Sequence, residues 1–212
     1  MKIAFLIYPG FTTLDAIGPF DVLSRLPGAD VQFVAKKQDP IANDNDLLRV
    51  LPTSSLSECS DPDILLIPGG MEGTQAAAND VEILDWVRQS HKSTTWTTTV
   101  CTGSLILGAA GLLQGLNATT HWAAQEQLAQ TGATYQAQRW VQEGKIITAA
   151  GVSAGIDMAL HLVSEIAGPQ LAQAIQLMVE YDPQPPFDSG SLAKASPDVV
   201  KMVQSGLERR SQ

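Results

Sequence analysis

The chain has only two cysteines, Cys59 and Cys101, in 212 residues. That is too few for a disulfide scaffold, and their different settings argue against a bridge between them. A reducing, cytoplasmic environment is the expectation. Basic residues are scarce: 13 Lys and Arg face 22 Asp and Glu, for a formal net charge of -9. Phosphate binding needs a basic surface, so no nucleic-acid partner is expected. The balance suits a neutral or cationic ligand without identifying one. No stretch approaches the ~18 consecutive apolar residues of a spanning helix. The run from Met1 to Tyr8 ends at Pro9-Gly10 and lacks the length and cleavage site of a signal peptide. Neither a membrane nor export is expected. Repeated His/Cys spacing is missing, so no metal site is expected. G-x-x-x-x-G-K-[ST] and G-x-G-x-x-G are missing too, so neither is a nucleotide cofactor.

What is present is a globular composition, 44% hydrophobic and 17% charged. Short apolar runs at 3–8, 31–35, 64–67, 96–100 and 146–149 read as strands, with another expected at 47–51. The patterns at 14–26, 80–90, 103–113, 121–130, 153–167 and 170–180 read as helices. Gly18-Pro19 should kink the first of them. Glu143-Gly144-Lys145 marks a hairpin turn before Ile146. Strands alternating with helices predict an α/β sandwich with a mainly parallel sheet. One domain is expected over residues 1–190, and residues 191–212 form a polar C-terminal extension. In such folds ligands bind beyond the carboxyl ends of the strands. Three segments fall there: Pro9 to Asp15, Pro68-Gly69-Gly70, and Cys101-Thr102.

The strongest local signal is Thr97-Thr98-Thr99-Val100-Cys101-Thr102-Gly103-Ser104-Leu105-Ile106-Leu107. A β-favouring run stops at a cysteine, small residues follow, and an apolar helix begins. This is the layout of a nucleophile elbow, where a side chain is presented rather than packed. A helix N-terminus and its N–H groups favour a thiolate there. A lone cysteine elsewhere is more often an inert core residue, and Cys59, in a polar loop, reads as incidental. Attack by Cys101 on an unsaturated carbon builds charge that must meet hydrogen-bond donors. The N–H groups of Gly70 and Thr102 are the candidate donors. Asp15 is the candidate acid, although an acid at a helix start can also be mechanistically silent; Asp21, on a solvated face, is its control. His121, at a helix start, fits a local structural bond better than a Cys–His dyad.

Taken together, these segments resemble the DJ-1/PfpI superfamily. The matching pieces are Leu14-Asp15-Ala16-Ile17-Gly18-Pro19, Ile64 to Gly70, Val100-Cys101-Thr102-Gly103, Ala118-Thr119-Thr120-His121-Trp122, and Gly151 to Asp157. Asp rather than Glu at position 15, Thr after the cysteine, and the tail from Glu180 to Phe187 are most similar to its isocyanide-hydrating members. The resemblance implies a flavodoxin-like three-layer sandwich, a homodimer, and cofactor-free hydration of a small-molecule isonitrile to an N-formamide. It implies Cys101 as nucleophile through a covalent thioimidate, and Asp15 as proton donor and then activator of water. Backbone donors would be Gly70 and Thr102. Ala150, Gly151 and Val152 would flank Cys101 and influence its mobility.

Protease-like relatives carry His directly after the cysteine. Thr102 stands there in this chain, which disfavours a peptidase. Glyoxalase- and deglycase-like members generally carry Glu where this chain has Asp15. They remain an alternative, as does a redox sensor oxidised at Cys101. The ligand-sensing half of AraC-type regulators is a further alternative. The residues after the Pro-rich tail are too few for a DNA-binding domain, and the net charge is wrong for DNA, so that reading is not favoured.

Overall fold

The computed structural model describes residues 1–210. It comprises two units, Met1–Val179 and the segment from Glu180 onward. The first holds β1 (Lys2–Leu6), α1 (Thr13–Leu23), β2 (Asp30–Ala35), β3 (Ile41–Ala42), β4 (Arg49–Val50), β5 (Ser54–Ser55) and β6 (Ile64–Ile67). It continues with α2 (Met71–Ala78), α3 (Val81–Ser93), β7 (Trp96–Val100), α4 (Gly103–Ala109), β8 (Asn117–Ala118) and α5 (Gln125–Gln130). β9 (Thr134–Tyr135), β10 (Trp140–Glu143), β11 (Ile146–Ala149), α6 (Ala154–Ala167) and α7 (Pro169–Met178) complete it. The second unit carries α8 (Pro197–Arg210).

The main sheet runs β10-β11-β7-β6-β1-β2-β5. All its pairings are parallel except the β10–β11 hairpin. Strand side chains alternate between two cores. Ala4, Leu6, Leu65 and Ile67 pack with Ile83, Val87, Ile106, Leu107 and Leu128 of α3, α4 and α5. Ile3, Phe5, Ile64 and Leu66 pack with Val22, Leu23, Met158 and Leu162 of α1 and α6, and with Ile175 of α7. A helical layer therefore covers each face, and strands buried on both sides read as continuous apolar runs. Each fully buried Leu, Ile or Phe contributes about 1.5–3 kcal/mol.

β7 is the exception in composition, because Thr97, Thr98 and Thr99 are wholly buried. Threonine suits a strand by its β-branch, but its hydroxyl needs a partner. Thr98 Oγ1 donates to the Leu65 carbonyl at 3.1 Å. Thr97 Oγ1 meets His91 Nδ1 and Thr94 Oγ1, each at 2.8 Å. Lys145 Nζ donates to the carbonyls of Thr94 and His91. These groups cluster at the amino-terminal ends of β7 and β11.

Several elements depart from the sequence expectations. The segment at 47–51 forms only the two-residue β4, paired with β3 in a separate ribbon. α4 stops at Ala109, and Gly111 follows at φ +79, a conformation that favours glycine. α2 starts straight from Pro68-Gly69-Gly70, and its own Gly73 hid it from a propensity reading. The segment expected as a polar extension contains α8, whose Pro197 and Asp198 suit a helix start. Cys59 is not in a solvated loop: it is 1% exposed in the core, and Trp86 Nε1 donates to its carbonyl at 3.0 Å.

Candidate active site

Three adjacent parallel strands, β6, β7 and β11, each lead into a residue of positive φ. Met71 lies at +23°, Cys101 at +57° and Val152 at +26°. For a branched residue such as Val152 this is strained backbone, held in place by its surroundings. The support is visible. The Ala150 N–H donates to the Arg139 carbonyl at 3.0 Å. The Arg139 guanidinium bonds Asp157, and also Ser153 Oγ at 3.0 Å. Cys101 is pinned from both sides. Its N–H is shared between the carbonyls of Ala149 and Ala150 at 3.1 and 2.9 Å. Its carbonyl accepts from Ser104 Oγ at 3.2 Å and Thr120 Oγ1 at 3.1 Å. Only Cys101 and Thr102 separate β7 from α4.

Asp15 lies in the first turn of α1 and is 0% exposed. Its Oδ2 accepts the Gly69 N–H at 2.9 Å. Its Oδ1 makes no hydrogen bond of regular geometry. Burial pushes this carboxyl up to about 7; the Gly69 N–H and the Cys101 thiol oppose the rise, and the charge of Asp44 adds to it. Cys101 is 7% exposed. Burial pushes its thiol well above the usual range, and the charge of Asp15 adds to that. The N–H groups of Val152 and Thr102 act the other way and favour the thiolate. The sequence suggested a thiol lowered by a helix end. Here α4 has only seven residues, and desolvation outweighs the N–H groups. The carboxyl and thiol are thus a coupled pair: the thiol hydrogen bond favours the Asp15 carboxylate, and that carboxylate makes the thiol harder to ionise.

The turn after β6 fits against this pair with no room to spare. A Cβ on Gly69 would lie 2.6 Å from Thr102 N and 2.9 Å from Asp15 Oδ2. The Gly70 N–H donates to Thr102 Oγ1 at 3.1 Å, so it is engaged within the protein rather than free for a ligand. That Oγ1 lies 2.8 Å from Thr74 Oγ1, which lies 3.2 Å from Tyr8 Oη. Tyr8 Oη donates to the Pro68 carbonyl at 2.7 Å. Sequence reasoning missed Tyr8 and Thr74: one reads as the end of a core strand, and the other lies on a helix without a strong pattern.

His121 caps a single 3-10 turn, Trp122–Ala124, its Nδ1 accepting the Ala123 N–H at 3.2 Å. Burial lowers its pKa. Its ring packs on Gly151, where a Cβ would come within 2.8 Å of Cδ2. It therefore supports the Ala150–Val152 turn. Asp21 is exposed and pairs with Arg25. Among the described residues, no group of three or more His, Cys, Asp or Glu is placed to hold a metal ion, and no helix is long and apolar enough to cross a membrane. A cavity of about 390 Å³ is lined by Tyr8, Ile7, Ala35, Ile41, Ala77 and Ile83 among others; neither Cys101 nor Asp15 lines it.

A doubly wound sheet with a cysteine beyond one strand and a buried carboxyl from the exit of another defines a class, and the chain belongs to the DJ-1/PfpI family, whose pattern matches residues 1–165. Within it, the chain is 43% identical over 200 residues to an isonitrile hydratase of Pseudomonas putida, covering 94% of this chain and 87% of that one. It is 41% identical to a THiJ/PfpI family protein of Pseudomonas syringae of known structure, with a TM-score of 0.92 over 99% of this chain and 88% of that one. It is also 30% identical to the HTH-type transcriptional regulator CdhR of Pseudomonas aeruginosa over 79% of this chain, and spans about half of that protein's length (51%). DJ-1beta of Drosophila melanogaster shares the fold at 22% identity, with a TM-score of 0.77 over 86% of this chain and 98% of that one.

Proposed function

We propose that the protein is a cofactor-independent isonitrile hydratase, with Cys101 as nucleophile and Asp15 as the group that moves protons. The carrying observation is the pairing of Cys101 with a buried carboxyl that has one oxygen left over, in a chain 43% identical to an isonitrile hydratase. Asp15 is pushed up to about 7 and the thiol lies above it, so near neutral pH the pair carries one proton or two, and the one-proton form is the one that reacts. The reactive form is the thiolate beside protonated Asp15.

The thiolate attacks the terminal carbon of R–N≡C. As the S–C bond forms, Asp15 gives its proton to that carbon, producing the thioimidate Cys–S–CH=N–R. The Asp15 carboxylate then takes a proton from water as the water oxygen adds to the same carbon. That proton passes to nitrogen. Collapse expels the Cys101 thiolate, forms the formamide carbonyl and returns the hydroxyl proton to Asp15. One isonitrile and one water give one formamide, and the pair ends as it began. The N–H groups of Thr102 and Val152 hold the sulfur's negative charge. Gly70 contributes by fixing Thr102, not by facing the substrate. A cytoplasmic homodimer is the corresponding proposal for the working form.

The test is incubation with simple alkyl and aryl isonitriles, following formamide formation and the mass of the Cys101 peptide. Turnover with a transient adduct on Cys101 is expected, and Cys101→Ala should be inactive. Consumption of methylglyoxal with no isonitrile turned over would replace this reading by a glyoxalase.

A further inference from the structure

The hydroxyls beside Cys101 have only one possible order of donation. The Pro68 carbonyl can only accept, so Tyr8 Oη spends its single hydrogen there, at 2.7 Å. Tyr8 must then accept from Thr74 Oγ1 at 3.2 Å. With its hydrogen used, Thr74 must accept from Thr102 Oγ1 at 2.8 Å. Thr102 Oγ1 in turn accepts from the Gly70 N–H, which can only donate, at 3.1 Å. The line is fixed in polarity from both ends. It ties the exit of β1, the body of α2, the turn after β6 and the start of α4 to one another. Tyr8 is 2% exposed and Thr74 1%, so water does not compete for these bonds.

We infer that Tyr8 and Thr74 are positioning residues for Cys101: through Thr102 Oγ1 they hold the Thr102 backbone N–H against the sulfur. Thr102 is the hinge of the argument. Its side chain ends the hydroxyl line, and its N–H favours the Cys101 thiolate. Gly69 leaves no slack, because Thr102 N and Oγ1 both lie where its Cβ would be. Breaking the line frees Thr102 Oγ1 to turn and the Gly70 N–H to lose its acceptor. The turn that aims the Thr102 N–H then loosens. The phenol also lies within electrostatic reach of Asp15 and Cys101, whose charges both act on it.

The inference rests on Cys101 being the nucleophile, but its test needs no isonitrile. The rate of Cys101 alkylation by iodoacetamide is measured from pH 6 to 10 and read by mass on the Cys101 peptide, in the wild type, Tyr8→Phe, Thr74→Val and Thr74→Ser. Tyr8→Phe and Thr74→Val should react about tenfold more slowly near pH 7, with the profile moved about one unit higher. Thr74→Ser keeps the hydroxyl and should follow the wild type. A wild-type profile in both broken variants overturns the inference. So does an equal loss in Thr74→Ser, which would make the effect one of packing. If Thr74→Val fails to fold, Tyr8→Phe, which keeps the ring, decides alone. Failure to hydrate isonitriles alongside the expected alkylation pattern would overturn the hydratase reading and leave this one standing.

Discussion

The two ends of the parallel sheet treat buried polar groups in opposite ways. At the amino-terminal ends of β7 and β11, Thr94, Thr97, His91 and Lys145 are bonded to one another, and the backbone there is relaxed. At the carboxyl ends of β6, β7 and β11, three residues sit at positive φ, and Asp15 Oδ1 is left without a regular partner. Both regions are wholly or partly buried, and both are rich in hydroxyls. What separates them is use: one end spends its polar groups on holding the fold, while the other turns a carboxyl and a thiol on each other. Unmet local demands that survive in a folded protein concentrate where chemistry is done.

The sharpest way to break this contrast is to replace the carboxyl by a group that cannot ionise. Asp15→Asn should lower turnover of an isonitrile by about a hundredfold to ten-thousandfold, the usual range for a lost proton-transfer group. Steady-state kinetics on the folded variant would show it, and near-normal turnover would reduce Asp15 to a helix-end acid. Gly69→Ala pushes a methyl into Thr102 N and Asp15 Oδ2, so turnover should fall about tenfold to a hundredfold. A circular-dichroism spectrum would confirm that the fold survives.

The contrast also has a pH signature. Asp15 rises from 3.8 to about 7 on folding, so the native state binds the proton more tightly than the unfolded chain. Stability then falls as pH rises from about 4 to about 7, by a few kcal/mol, stays level to about 9, and falls again where the unfolded Cys101 thiol ionises. Urea unfolding at a series of pH values should show this slope, and Asp15→Asn should flatten it. The smallest effect belongs to the other end. Thr97→Val leaves His91 and Thr94 short of a partner and should cost about 1–3 kcal/mol of stability with turnover unchanged. A loss of turnover there would erase the distinction between the ends.

Much of the architecture was legible because buried strands and amphipathic helices announce themselves by period. Ile64–Ile67 and Trp96–Val100 stand where the apolar and β-branched runs put them. Cys101 was legible for a related reason, since a threonine-rich strand breaks into small residues there. Asp15 needed the family resemblance, because an acid in a first helical turn has an ordinary explanation. α2 and α8 escaped notice for want of a strong apolar period. Tyr8, Thr74 and Thr102 meet only because β1, β6 and β7 are neighbours in the sheet, and strand order leaves no trace in local spacing. The true use of the Gly70 N–H was hidden for the same reason.

The single proton of the Asp15–Cys101 pair has an electrical consequence. Through the proposed cycle that proton moves among sulfur, carboxyl, carbon and water, but the pair and its adduct never change their total charge. The substrate enters neutral and the product leaves neutral. Among the described residues no lysine or arginine acts on either group, and none is needed, because no new charge builds up to be neutralised. Turnover should therefore be nearly indifferent to ionic strength. The net charge of -9 then bears on keeping the molecules apart in solution and not on drawing the substrate in.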